Sequence, residues 1–233
     1  MVFSRKGFDS ASGGAPSPVV AGGPVSLPIP ADRRSATCYA DLGLGDLVEA
    51  ATRGRVGRHH PCHDDPMFDS GRCWFGQHGA ALGHLLNRGV GPGDVFLFFG
   101  LFAEPATGER HHRIFGYLRV ESVAEPGCVE TPRPHPHAIG DWGRRNLLFV
   151  GAGATAAVAS PNLRLTRPGG PLRRWTVPAW LARHGLSYHD RAERWLGDGL
   201  LEVASRGQEF VTDVGEDPVA LDWLEAVIAA IRG

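Results

Sequence analysis

Lysine is almost missing from this chain: of 24 basic residues only Lys6 is a lysine, and all the others are arginine. Beside 32 glycines and abundant alanine, that bias reads as GC-rich coding rather than a selected arginine surface. Arginine position therefore carries more meaning than arginine number. Net charge is missing too. A formal charge of −1 excludes a histone-like basic coat, though it leaves room for a local basic groove. No apolar run approaches the roughly 18 residues that span a bilayer. The nearest, Leu147 to Ala159, is short and rich in Gly and Ala. The start, Met1-Val-Phe-Ser-Arg-Lys-Gly, has no apolar leader and no cleavage pattern, so a cytoplasmic protein without a membrane partner is expected. Cysteine is scarce. Cys38, Cys62, Cys73 and Cys128 are irregularly spaced, which argues for reduced thiols rather than a disulfide framework.

What is present is 233 residues, 42% of them hydrophobic and 21% charged, enough to bury a core within one α+β domain spanning 1–233. Residues 1–30 read as an N-terminal strand and a Gly/Ser-rich loop, followed by a strand candidate at 25–29. Prolines at 24, 28 and 30 make that candidate an edge strand or an extended arm. A short helix is expected over 41–52 and an irregular His- and Arg-rich loop over 53–73. Phe75, His78, Leu82, Leu85 and Leu86 share one side of a helical wheel, which predicts a helix over 75–88 that Gly89 stops. After Gly91-Pro-Gly-Asp, the apolar run 95–102 and the aromatic-rich 114–120 read as antiparallel partners in a buried sheet. Further strands are expected at 146–150, 200–203 and 209–212. Asp217-Pro218 supplies an N-cap and an N1 proline for a C-terminal packing helix over 217–232, with Trp223, Leu224, Val227, Ile228 and Ile231 as its apolar stripe. The expected architecture is a central, mostly antiparallel sheet or barrel with flanking helices.

Several stretches carry groups able to do chemistry. In Ser4-Arg-Lys-Gly-Phe-Asp-Ser-Ala-Ser-Gly-Gly, a strand ends in two cations and enters a loop of small and hydroxyl residues. Glycines such as Gly13 let backbone N–H groups approach an anion, Arg5 and Lys6 supply charge, and Ser10 and Ser12 donate. No P-loop pattern is present, and a flexible loop with solvated cations is the competing reading. His59-His-Pro-Cys-His63 concentrates metal-capable side chains, but their spacing to Cys73 matches no zinc pattern, so a solvated loop is preferred and no metal is assigned. His63 and Asp65 suit a proton-transfer pair. His78, among leucines, reads as a hydrogen-bonded core histidine. Gln77, His84 and Arg88 share a polar stripe that becomes a site wall if the helix lines a cleft. In Arg133-Pro-His-Pro-His137 the prolines favour an extended form with His135 and His137 on one side, able to meet a metal, a phosphate or a base edge. Trp142 beside Arg144 and Arg145 offers a stacking platform near cations. Gly151-Ala-Gly-Ala154 lacks the third glycine of a dinucleotide loop.

Taken together, several motifs resemble one family. They are Ser4-Arg-Lys-Gly-Phe-Asp-Ser-x-Ser-Gly-Gly-x-Pro-Ser-Pro, His63-x-Asp-Pro, Phe75-Gly-Gln and Gly93-Asp-x-Phe-Leu-Phe-Phe-Gly. Ile114-Phe-Gly-Tyr-Leu-x-Val, His135-Pro-His and Gly207-Gln-Glu-Phe-Val complete the set. The pattern is similar to the third nucleotide modification associated domain family of bacteria and phages. It covers nearly the whole chain, and its N-terminal motif is the most specific part. The resemblance implies a role in nucleotide or DNA-base modification, with a nucleotide or DNA base as partner and other DNA-modification enzymes as companions. It brings no catalytic assignment and names no cofactor. The matched positions most able to do chemistry are Arg5, Lys6, Asp9, Ser10, His63, Asp65, Gln77, His135 and His137; Cys62 is given no role. The strand pair at 95–120 also resembles the centre of PUA-like barrels, some of which hold flipped bases.

Three readings follow. The first places His63, Asp65 and Gln77 as catalytic groups, with Arg5, Lys6, Asp9, Ser10, Ser12, Gly13, His135 and His137 around a phosphate and base. The second is a PUA-like reader without turnover. The third is a small metalloenzyme using His63, His135 and His137.

Overall fold

A computed structural model describes every residue except Asp32, Arg144 and Arg206. Arg144, expected beside Trp142, therefore lies outside the described residues.

The elements run β1 (Val2–Arg5), β2 (Ser17–Val20), β3 (Gly23–Pro24), α1 (Gly45–Thr52), β4 (Met67–Asp69), β5 (Arg72–His78), α2 (Gly79–Asn87) and β6 (Val95–Ala103). They continue with β7 (Arg110–Ala124), β8 (Asn146–Thr155), β9 (Arg174–Thr176), α3 (Ala179–His184), β10 (Leu200–Glu202), β11 (Glu209–Val211) and α4 (Pro218–Arg232). The class is α+β. Among the described residues nine strands form one sheet with the path β11-β1-β6-β7-β8-β5-β4, while β2 and β3 attach beside β6; β9 and β10 pair separately. Pairing is mostly antiparallel, but β1 and β2 run parallel to β6. The path ends at β11 and β4 without joining, so the barrel form is not realised. No helix among the described residues is long and apolar enough to cross a membrane.

β6 shows why the sequence folds this way. A strand sends alternate side chains to opposite faces, and a strand covered on both faces reads as a continuous apolar run. Val95, Leu97 and Phe99 enter one core with Trp175, Trp180 and the α4 stripe of Leu224, Val227 and Ile228. Phe96, Phe98 and Phe102 enter the other, with Phe75, Phe149 and the α2 residues Leu82 and Leu85. The C-terminal helix starts as expected: Asp217 accepts from the Val219 N–H at 2.9 Å, and proline occupies the first turn. Trp223 is only partly buried at its edge.

Two expectations are corrected. The predicted helix over 75–88 begins only at Gly79; residues 72–78 are β5, laddered to β8 from Arg72–Ala152 through His78–Asn146. Phe75 and His78 fall on the helical wheel by coincidence of spacing; Cys73, Trp74 and Phe75 are buried in succession, as in a strand covered on both faces. The strand candidate at 25–29 is irregular, and the extended segment that pairs there is β2. Gly151–Ala154, rejected above as a dinucleotide loop, continues β8, where a Cβ at Gly153 would meet the Tyr117 carbonyl at 2.6 Å; the glycines permit close strand packing.

Candidate functional site

The parallel pairing of β1 on β6 carries Arg5 and Lys6 to the sheet's rim, and β11 pairs antiparallel to β1 with Glu209 opposite Ser4. The curled sheet brings the end of β5 to the same place. There a cavity of about 800 Å³ opens between the β1 and β5 ends, residues 29–31, Arg33 and Arg34, the 63–65 turn, and Ser205, Gly207 and Gln208. Arg5, Lys6, Asp9, Ser12, His63, Asp65, Gln77 and His137 line it, so the fold brings together four separate stretches of sequence.

One wall centres on Asp65, whose side chain is only 4% exposed. Its Oδ1 accepts the Gly76 N–H at 2.9 Å and faces His135 Nε2 at 3.5 Å; its Oδ2 faces His63 Nε2 at 3.5 Å and His137 Nε2 at 3.6 Å. Burial pushes this carboxyl upward, but the facing imidazoles, His135 first, then His63 and His137, outweigh it and hold Asp65 well below the usual carboxylate range. His137 is buried, and burial takes its pKa down to about 4 against the pull of Asp65 and Asn146. The donor atoms of His63, Asp65 and His137 all lie within 4.8 Å of one another, close enough for one metal ion.

The 133–137 segment is not extended, as its prolines suggested. Pro136–Ala138 forms one 3₁₀ turn, with His135 Nδ1 accepting the His137 N–H at 3.2 Å. Both imidazoles still converge on Asp65, because Arg133 grips the neighbouring Asp64 carboxylate at 2.8 Å and docks the two segments together. Trp142 caps the turn, donating to the Pro136 and Ile139 carbonyls. His137 stacks on its ring at 4.3 Å and the Arg34 guanidinium lies over it at 4.6 Å, so Trp142 is a shelf for these two groups and not a free stacking platform.

The opposite wall is a buried polar network. Lys6 Nζ pairs with Glu209 Oε1 at 2.9 Å and lies over the Phe75 ring at 4.3 Å, while Gln77 Nε2 donates to the same oxygen at 2.8 Å. Gln77 thus sits on β5, buried, and not on a helical stripe with His84 and Arg88. His78 is not a core histidine; it caps the strand, half-buried, with its ring 4.6 Å from Trp142. Glu209 was invisible as a site residue except through its place in Gly207-Gln-Glu-Phe-Val. Gly76 had the same signal in Phe75-Gly-Gln, and Asn146 had none.

The N-terminal loop differs most from expectation. Asp9 Oδ1 accepts the Ala11 and Ser12 N–H groups, and the Asp9 carbonyl accepts from Gly14. The Ala11, Ser12 and Gly14 N–H groups are thus spent on the loop's own turn. Gly13 is required because a Cβ there would meet the Phe8 ring at 2.5 Å. Ser10 is exposed and turns toward a second cavity of about 420 Å³, and His135 stands behind Asp65, outside the main cavity. Arg5 donates to the Ala204 and Ser205 carbonyls while still lining the cavity, and burial lowers its pKa against the raising effect of Asp9. The His59–His63 run disperses: His59 is exposed, Cys62 is buried beside α1, and only His63 turns to the cavity. All four cysteines are free thiols.

In this α+β fold, imidazoles and a carboxylate face a buried amide–ammonium–carboxylate network across one cavity. The model of the nucleotide modification associated domain 3 family matches residues 1–213, and the chain belongs to that family. Neither a curated protein nor a solved structure matches the chain.

Proposed function

We propose that the cavity receives one nucleotide or one base flipped out of DNA, and that His63 with Asp65 moves a proton on it. The observation that carries this reading is the opening of the His63–Asp65 pair and the Lys6–Glu209–Gln77 network onto one cavity, in a chain of a nucleotide modification associated family. Its volume of about 800 Å³ falls in the range of small-molecule sites. Gln77 presents an amide, the group suited to a base edge, and its position is held from both ends: Nε2 on Glu209 and Oε1 on the His78 N–H at 3.1 Å. Arg5, Arg33 and Arg34 at the cavity supply the cations for a phosphate, a role the self-closed N-terminal loop leaves to side chains. Near-neutral overall charge agrees with one short contact and not with DNA coating.

Mass spectrometry of nucleosides from cells with and without the gene tests the reading, with His63→Ala as complementing variant. A base modification present with the wild-type gene and absent with the variant is expected. Identical nucleoside profiles, with tight binding to modified DNA only, would replace catalysis by recognition.

A further inference from the structure

We propose that His63 Nε2, Asp65 Oδ2 and His137 Nε2 form a site for one first-row divalent transition metal, with its remaining coordination positions open to the cavity. The Asp65 oxygen lies 3.5 Å and 3.6 Å from the two imidazole nitrogens, and all three donor atoms lie within 4.8 Å of one another, somewhat wider than a closed coordination shell. Bonds of about 2.1 Å place neighbouring ligands roughly 3.0–3.4 Å apart, so small side-chain movements close the shell. The site stands on this geometry and not on the nucleotide reading; with the metal bound, His63 Nε2 and Asp65 Oδ2 serve as its ligands in place of the proton-transfer role proposed above.

Two further observations point the same way. Asn146 Nδ2 donates to the His137 carbonyl at 2.8 Å, which orients the amide so that its Oδ1 accepts from His137 Nδ1 at 2.6 Å. With Nδ1 engaged by Asn146, His137 presents Nε2 to Asp65 Oδ2 at 3.6 Å, and a cation between these two atoms would be held by both. Next, His135 Nδ1 accepts the His137 N–H, so the His135 proton sits on Nε2, a fully buried atom that lacks a hydrogen bond of normal length and points at Asp65 Oδ1. With the Gly76 N–H on the same oxygen, Oδ1 is occupied and Oδ2 is left for a metal. Outer groups that fix tautomer and carboxylate orientation are the usual support of metal ligands. His135 belongs to that outer layer, and the three-histidine set read from the sequence gives way to two imidazoles and a carboxylate. Imidazole donors select transition metals over magnesium or calcium, and three protein ligands leave room for water or substrate.

Chain purified without a histidine tag, stripped with chelator and titrated with Co²⁺ or Zn²⁺ alone tests this. One equivalent should bind, and the Co²⁺ form should show visible d–d bands. His63→Ala and His137→Ala should each weaken binding more than about 100-fold, beyond the loss usual for outer-layer changes, with far-UV circular dichroism unchanged. His59→Ala, at an exposed position outside the cavity, should bind as wild type. Absence of a stoichiometric site in the wild-type chain overturns the proposal whatever the variants do. So does undiminished binding in both His63→Ala and His137→Ala.

Discussion

His137 and Asn146 hold each other twice, ring Nδ1 on the amide oxygen at 2.6 Å and amide nitrogen on the histidine carbonyl at 2.8 Å. This reciprocal pair sits where β8 begins, opposite His78 of β5, so the sheet itself sets the angle of the imidazole. Asn146→Ala frees the ring to turn and to exchange tautomers. Metal affinity should fall about 10- to 100-fold, the usual cost of losing an outer partner. A Co²⁺ titration read beside a thermal melt separates that loss from general unfolding. Unchanged affinity would remove Asn146 from the site.

Gly76 and His137 are in a different kind of contact. A Cβ on Gly76 would lie 2.4 Å from the imidazole Cγ and Cδ2. The Gly76 backbone is laddered to β8 and donates to Asp65, so the ring must yield, against Trp142 stacked on it. Gly76→Ala should cost about 1–3 kcal/mol, the range for overpacking. It should also shift the His137 ring resonances in NMR; a ring unmoved by the substitution would contradict the contact.

Lys6 and Glu209 are a buried ion pair, with side chains 10% and 1% exposed. Glu209 Oε2 has no partner of its own. Removing only the cation, in Lys6→Met, strands a buried carboxylate and should destabilise the chain by about 3–5 kcal/mol. Adding Glu209→Gln in the same chain should recover most of that loss, because no uncompensated charge is left. Urea unfolding of the wild type, both single variants and the double variant measures the coupling.

His112 predicts acid sensitivity. Its Nδ1 accepts from Trp175 Nε1 at 3.0 Å, which requires a ring without a proton there. Burial first, then the charges of Arg5 and His111, bring its pKa down to about 3. The folded value lies below the unfolded value near 6.5, so the unfolded chain takes up the proton first. Stability is therefore full above pH 6.5 or so and declines as pH falls from there toward about 3. His112→Gln keeps an acceptor for Trp175 without a titrating ring. Between pH 7 and pH 4.5 its loss of stability should be smaller than the wild type's by roughly 2 kcal/mol, from denaturant midpoints at the two pH values.

The sequence by itself determined the elements whose signal is local. The β6–β7 hairpin was legible because a doubly buried strand must be apolar at every position, and α4 because its cap, its first-turn proline and its stripe lie within a few residues of one another. Motif resemblance marked Lys6, His63, Asp65, Gln77 and His137 as chemical, and all five line one cavity. Tertiary structure alone decided how they are used. Gln77 and Glu209 meet across 132 residues of chain, and Lys6 is committed to that same carboxylate. His135 and His137 were a matched pair in sequence, yet backbone folding into a 3₁₀ turn sends one behind Asp65 and the other to the cavity. The Ala11 and Ser12 N–H groups of the glycine loop turn inward because Asp9 reaches them first. Each of these outcomes depends on which polar group finds a given proton or lone pair after burial, a competition settled only once distant segments have packed together.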